Sequence, residues 1–338
     1  MKIRLKPLNQ QTIVITGASS GIGLSTARTA ARRGARVVLA ARSEDALRNL
    51  SDEINNAGGQ ALAFPVDAAD RDAVGRLAAA AIERFGGFDT WVNDAAVSIY
   101  GPVAQVPLAD ARRLFETNLW GTVNGSLAAV EHLRHRGGGA VINVGSTVSD
   151  RAIPMQGFYS ASKHAVKGFT DALRVELEAE RAPIAVTLIK PGSIDTPFPQ
   201  HAKNLMDREP TLPPPVYAPA VVADAILHCC EVPTRDLFVG GGGKAISALG
   251  QWSPRLADKQ LRSMIEQQKK PVPSRGRDDR ALYRGNADLR ERGDYDGHVM
   301  KSSAYTKATM HPIATGALIA AGAAIVAGAL VNTARATD

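Results

Sequence analysis

Residues 12–23, TIVITGASSGIG, constrain the chain more than any other stretch. A β-prone run enters a turn in which Gly17, Gly21 and Gly23 follow the spacing G-x-x-x-G-x-G, and a helical pattern begins where the turn ends. A strand that passes through such a turn straight into a helix opens a βα unit, and the tight reversal favours residues without a Cβ. The alternation continues to residue 240. The runs at 12–16, 36–41 (RVVLAA), 61–66, 90–93, 140–145 (AVINVG), 184–190 (IAVTLIK) and 236–239 read as short strands. Helical stretches such as 21–33, 43–56, 71–85 and 158–181 lie between them. Several strands are continuous apolar runs rather than alternating ones, as expected when helices cover both faces of a sheet.

The expected fold class is therefore α/β: a Rossmann-type doubly wound parallel sheet of about seven strands, with a C-terminal helical and irregular extension. Residues 1–243 form the expected catalytic domain. Residues 244–270 suit one or two amphipathic helices, and 271–311, rich in Arg, Asp, Gly and Pro, read as an irregular or mobile polar linker. Residues 312–332 are a candidate membrane anchor: 313–331 carry no ionisable group, and Gly316, Ala320, Ala324 and Gly328 make a small-residue stripe. A helix packed on the protein and an unstructured tail remain alternatives. Lys301, Lys307 and His311 precede this segment, which would keep the catalytic domain cytoplasmic.

The formal charge of +7 invites a nucleic-acid reading, but the basic residues are scattered without interleaved aromatics, so no nucleic-acid partner is expected. The adjacent Cys229 and Cys230 suit neither a disulfide framework nor a metal site and read as helix residues facing a reducing compartment. No histidine clusters with Cys or acids at ligand spacing, so no metal is expected.

Amides at the start of a helix, with the favourable dipole end behind them, suit a phosphate, so Gly17, Ser19, Ser20, Gly21, Ile22 and Gly23 are assigned to a phosphate cradle. The second strand ends in Ala41-Arg42 rather than in a carboxylate. A carboxylate there would bind a ribose 2′-hydroxyl and repel a 2′-phosphate, whereas a guanidinium suits the phosphate. Arg42 thus favours NADP(H), its alternative being a solvated surface arginine. Tyr159-Ser160-Ala161-Ser162-Lys163 sets a phenol and an ammonium four residues apart on one helical face.

With these motifs the chain resembles the short-chain dehydrogenase/reductase (SDR) family over residues 9–240. The resemblance implies a catalytic set of Asn118, Ser146, Tyr159 and Lys163. Tyr159 would give a proton to the alkoxide, Lys163 would favour the phenolate and hold the nicotinamide ribose, and Ser146, with Tyr159, would hold the substrate oxygen. Asn118 would bend a helix and hold a water that relays protons to Lys163. It also implies cofactor contacts from Asp67, Asn93, Ala95, Pro191, Gly192, Ile194 and Thr196. Asp94 and Ala96 depart from the family's Asn-Asn-Ala-Gly motif. The implied activity is hydride transfer between NADP(H) and a carbonyl or alcohol group.

Val97, Ile99, Tyr100, Val148, Ile153 and Phe158 suggest an apolar pocket for a ketone, an aldehyde, or a steroid-like or acyl small molecule. Residues 201–216 form a candidate lid. The Tyr159 helix carries more apolar surface than one sheet face needs, and the resemblance implies that it packs against its symmetry mate in a homodimer or homotetramer. The alternative function is an NADP(H)-binding sensor or scaffold without turnover. A sugar-nucleotide epimerase or dehydratase shares Tyr-x-x-x-Lys, but the glycine spacing disfavours it.

Overall fold

A computed structural model of the chain describes residues 3–276, 282–286 and 288–317. Its centre is a parallel sheet of seven strands: β1 (Thr12–Thr16), β2 (Arg36–Ala41), β3 (Gln60–Pro65), β4 (Thr90–Asn93), β5 (Gly139–Val144), β6 (Ile184–Pro191) and β7 (Asp236–Val239). Their spatial order is β7-β6-β5-β4-β1-β2-β3, so the direction of winding reverses beside β1. The reversal opens a crevice at the C-terminal ends of β1 and β4, where ligands bind in sheets of this kind. The strands expected from the sequence are present, with β3 and β5 each shifted by one residue.

Along β1 the pleat sends Ile13 and Ile15 to one face and Val14 to the other. On the first face they meet Leu24 and Ala27 of α1 (Gly21–Arg32), Leu47 and Leu50 of α2 (Glu44–Asn56), and Val222 and Ile226 of a helix at Pro219–Glu231. On the second, Val14, Trp91 and Val141 pack against three further helices. These are α3 (Arg71–Phe85), a long pair α4 (Leu108–Phe115) and α5 (Gly121–Arg136), of which α5 makes the contact, and α6 (Gly157–Ala179). Burying one Ile or Leu side chain is worth about 1.5–3 kcal/mol, so two such layers explain why β-runs without alternation are stable here. α3 starts where the Asp70 carboxylate accepts the Ala73 amide at 3.0 Å and stops at Gly86 in the left-handed conformation. Ser43 occupies the N-cap of α2, but its side chain makes no capping bond. Cys229 and Cys230 are buried in the Pro219–Glu231 helix, here α7, where burial pushes the Cys229 thiol up to about 12.

The extension begins with the two expected helices, α8 (Gly241–Trp252) and α9 (Pro254–Gln267). The described part of 271–311 is mostly irregular and is docked on the domain. Lys269–Pro273 pairs antiparallel with Arg208–Pro210. Val299–Met300 pairs with Val216–Tyr217, which in turn pairs with Ser193–Ile194. α10 (Ala304–Met310) lies against β7, where the Gly240 amide donates to the Thr306 hydroxyl at 3.1 Å. The sequence hid this docking because it is made by scattered single contacts rather than by a periodic apolar face. Among the described residues no helix is long and apolar enough to cross a membrane. Of the candidate anchor, 312–317 are helical and the remainder lies outside the described residues.

Candidate active site

A cleft of about 430 Å³ opens at the C-terminal ends of β1, β2, β4, β5 and β6. Gly17, at φ +77°, turns the chain back where a Cβ would stand 2.9 Å from the Ala95 nitrogen. At Gly23 a Cβ would stand 2.3 Å from the Gly17 carbonyl oxygen and 2.9 Å from Asp94 Oδ2. Both glycines therefore hold the turn flat against the loop after β4, leaving the start of α1 facing the cleft.

Ser146 follows β5 and caps the short turn Thr147–Ser149. Its hydroxyl accepts the Val148 amide at 3.3 Å and shares a hydrogen bond with the Tyr159 phenol. Tyr159 and Lys163 lie one turn apart on α6, with Lys163 Nζ 5.9 Å from the Tyr159 ring centroid. The ammonium donates to the Val144 carbonyl at 2.8 Å. Asn118 is wholly buried in a π-helical segment, Glu116–Trp120, inserted between α4 and α5. Its Oδ1 accepts the Val97 amide at 2.8 Å, and its Nδ2 donates to Val97 O and Ser162 Oγ, each at 3.0 Å. The side chain serves to tie the π-helical segment to the loop after β4 and to α6.

The charges are tightly coupled. Burial pushes the Lys163 ammonium down to about 8, with the nearby Asp94 carboxylate opposing. Burial pushes Asp94 up to about 7, opposed by Lys163 and by a hydrogen bond from the Gly23 amide. Tyr159 is held above the usual phenol range by burial, with the Ser146 hydrogen bond opposing and Asp94 adding to the rise. The departure of Asp94 from the family motif thus places an anion beside the two titrating groups.

Gly17, Ser19, Ser20, Gly21, Ile22, Arg42, Asp67, Ala95, Pro191, Gly192, Ile194 and Thr196 all border the cleft with Ser146, Tyr159 and Lys163. Gly23, Asn93 and Asn118 stand behind it. Asn93, expected to touch the cofactor, instead staples strands: its Nδ2 donates to Asn143 Oδ1 at 2.8 Å and to Ser126 Oγ at 3.1 Å, and its Oδ1 accepts the Trp91 indole at 2.9 Å. Ile99 and Phe158 belong to the adjoining core rather than to the cleft wall.

At the substrate end, Val97, Val148, Ile153 and Leu212 meet Leu249, Ala257, Leu261 and Met264 of α8 and α9. Pro213, Pro214 and Pro215, from the candidate lid, join this wall. The sequence reading missed the contribution of α8 and α9. The apolar positions Ala257, Leu261 and Met264, at helical spacing, were the available signal. Among the described residues no cluster could hold a metal ion.

The cradle fits a dinucleotide. Helix-start amides face the place of a pyrophosphate, Arg42 and Asp67 stand at the adenosine end, and Tyr159 and Lys163 at the other. Comparison with known proteins agrees. The family model for short chain dehydrogenases matches residues 11–206. An uncharacterized oxidoreductase of Bacillus subtilis, YxnA, is 47% identical over 320 residues, covering 94% of this chain and 90% of that protein. The ketoacyl reductase HetN of a Nostoc strain is 28% identical over 260 residues, covering 75% of this chain and 88% of its own. The crystal structure of an alcohol dehydrogenase from Thermococcus sibiricus, complexed with 5-hydroxy-NADP, superposes with a TM-score of 0.59 at 26% identity, covering 68% of this chain and 95% of that one.

Proposed function

We propose that this chain, which belongs to the short chain dehydrogenase family and is an oxidoreductase binding a nicotinamide dinucleotide, uses NADP(H) to reduce the carbonyl group of an apolar small molecule, or to oxidise the corresponding alcohol. The observation that carries this reading is one continuous cleft that joins Arg42 at the adenosine end, the Ser146–Tyr159–Lys163 group, and an apolar wall.

The bound cofactor supplies the hydride; the remaining chemistry belongs to the chain. The Ser146 hydroxyl donates a hydrogen bond to the carbonyl oxygen and aligns it with the phenol. Tyr159 gives that oxygen its proton as negative charge develops there, a role for which a protonated phenol suits the reductive direction. Lys163, charged below about pH 8, faces the phenolate left behind and stabilises it. Asn118 and the π-helical segment hold the loop that carries Val97 against the substrate. Arg42 distinguishes the cofactors through the 2′-phosphate.

Val175 on α6 and Leu127 on α5 are exposed, and they support assembly as a dimer or tetramer through these helices. Attachment to a membrane through 312–332 rests on composition alone; sedimentation of the full chain with membranes tests it.

The direct test of function is NADPH oxidation over a panel of ketones, aldehydes and acyl carbonyls. Turnover that rises with the apolar length of the carbonyl supports the reading. Tight NADPH binding without turnover on any member would favour a sensor instead.

A further inference from the structure

The donors that the glycine turn and β2 turn toward the cleft are engaged by the chain's own extension. Residues 282–286 and 288–294 run across the mouth of the cleft. At one end Leu282 is buried against the cluster of Val97, Ile99, Ala111 and Leu114. Its carbonyl oxygen accepts from two guanidinium groups, Arg42 Nη1 at 3.3 Å and Arg113 Nε at 3.2 Å. At the other end the Arg290 carbonyl accepts the Gly21 amide at 2.9 Å, at the first residue of α1. Three ion pairs tether the segment between these points and beside them: Arg28 with Glu291 at 2.9 Å, Lys270 with Asp294 at 2.7 Å, and His201 with Asp288 at 3.0 Å when the imidazole is protonated.

Two guanidinium groups converge on one neutral oxygen, and burial, joined by the Arg113 charge, disfavours the Arg42 charge. Asp67, paired with Arg113, acts on Arg42 in the opposite sense and more strongly than Arg113 does. A phosphate dianion would satisfy both guanidinium groups through several oxygens, whereas a carbonyl offers one. The same pairing neutralises Asp67, the carboxylate that would otherwise repel a phosphate there. At Gly21 the competition is direct, because one amide hydrogen cannot serve both a carbonyl and a pyrophosphate oxygen at full strength.

We propose that Arg113 joins Arg42 in holding the 2′-phosphate of NADP(H), and that the strap of residues 282–286 and 288–294 occupies both phosphate positions through its Leu282 and Arg290 carbonyls, so that cofactor binding displaces it. The proposal rests on the NADP(H) reading above. It makes the extension a competitor for the cofactor site and gives the chain a built-in brake on cofactor capture.

Two glycines give the means to lift the strap. A Cβ on Gly285 would stand 3.0 Å from the Ser43 nitrogen, and a Cβ on Gly293 would stand 2.5 Å from the Thr196 carbonyl oxygen. Stopped-flow fluorescence of NADPH and NADH binding to the full chain reads the effect. Gly285→Val, at the Arg42 end, is expected to tighten NADPH several-fold and to leave NADH nearly unchanged. Gly293→Val, near the shared pyrophosphate position, is expected to speed association of both cofactors several-fold. Glu291→Gln cuts the Arg28 tether without adding bulk and should move the rates in the same direction, which keeps the test alive if a valine variant does not fold. Arg113→Ala should weaken NADPH roughly tenfold and spare NADH. Folded strap variants that bind no differently from the parent, or more weakly, overturn the strap; equal losses of both cofactors in Arg113→Ala overturn the shared seat. A parent chain that binds NADH but not NADPH overturns the cofactor reading itself, a different result from NADPH binding that the strap variants do not alter.

Discussion

Every residue of β1 is buried, whereas the extension's strand Lys269–Pro273 has none that is fully buried. The sheet domain is held by two continuous apolar layers, the extension by anchors placed one at a time: Leu282 in a small cluster, Thr306 beneath β7, Val299–Met300 on a short strand. Yet both border the same cleft. Layered burial holds Ser146, Tyr159 and Lys163 on packed elements beside the cleft. Point anchoring gives the roof and the strap a lower cost of movement. On the proposed reading, the sheet domain carries the chemistry, and the extension access and selectivity.

The largest expected effect lies in the sheet domain. Tyr159→Phe removes the proton donor and should lower kcat by about 10²–10⁴-fold while NADPH affinity, measured by fluorescence titration, stays close to the parent value. Substantial residual turnover would take the chemistry away from α6. Arg42→Ala comes next. Loss of a charge-assisted contact, on the order of 1.5–3 kcal/mol, should weaken NADPH by about tenfold or more and leave NADH nearly unaffected. Equal loss for both cofactors would mean that Arg42 does not read the 2′-phosphate.

A smaller effect separates the two regions. Met264→Ala enlarges the apolar wall supplied by α9 and should change kcat/KM between short and long carbonyl substrates by roughly tenfold, with the NADPH dissociation constant unmoved. An unchanged substrate profile would remove the extension from the substrate site. The smallest effect is a shift in pH dependence. Lys163 loses its proton as pH rises through about 8, so carbonyl reduction should fall on that limb. Asp94 holds the Lys163 proton on more tightly, and Asp94→Asn removes that help and should move the limb to lower pH. A limb that stays in place or moves to higher pH would show that Asp94 does not act on Lys163.

The sheet was legible in the sequence because its physics is periodic. Seven β-runs and the intervening helices alternate, and the glycine turn identifies where the crevice opens. Ser146, Tyr159 and Lys163 were legible because fixed offsets on one strand end and one helix face bring them together. Asn93 was misread because a buried polar side chain at a strand end has the same local sequence whether it faces a ligand or, as here, Asn143 and Ser126. The coupling of Asp94 to Lys163 depends on a β4 loop and α6 meeting in space, which no local pattern records. The strap was hidden most completely, since a polar segment without periodicity reads as a linker until Leu282 and Arg290 are seen against Arg42, Arg113 and Gly21.

A crystal structure of the full chain with NADPH bound tests the division of labour most directly. The expected result has the nicotinamide beside Tyr159 and Lys163, the 2′-phosphate between the Arg42 and Arg113 guanidinium groups, α8 and α9 still roofing the substrate end, and the Leu282 and Arg290 carbonyls no longer on Arg42, Arg113 and Gly21. A bound cofactor with those carbonyl contacts intact, or with its 2′-phosphate turned away from both arginines, would contradict it.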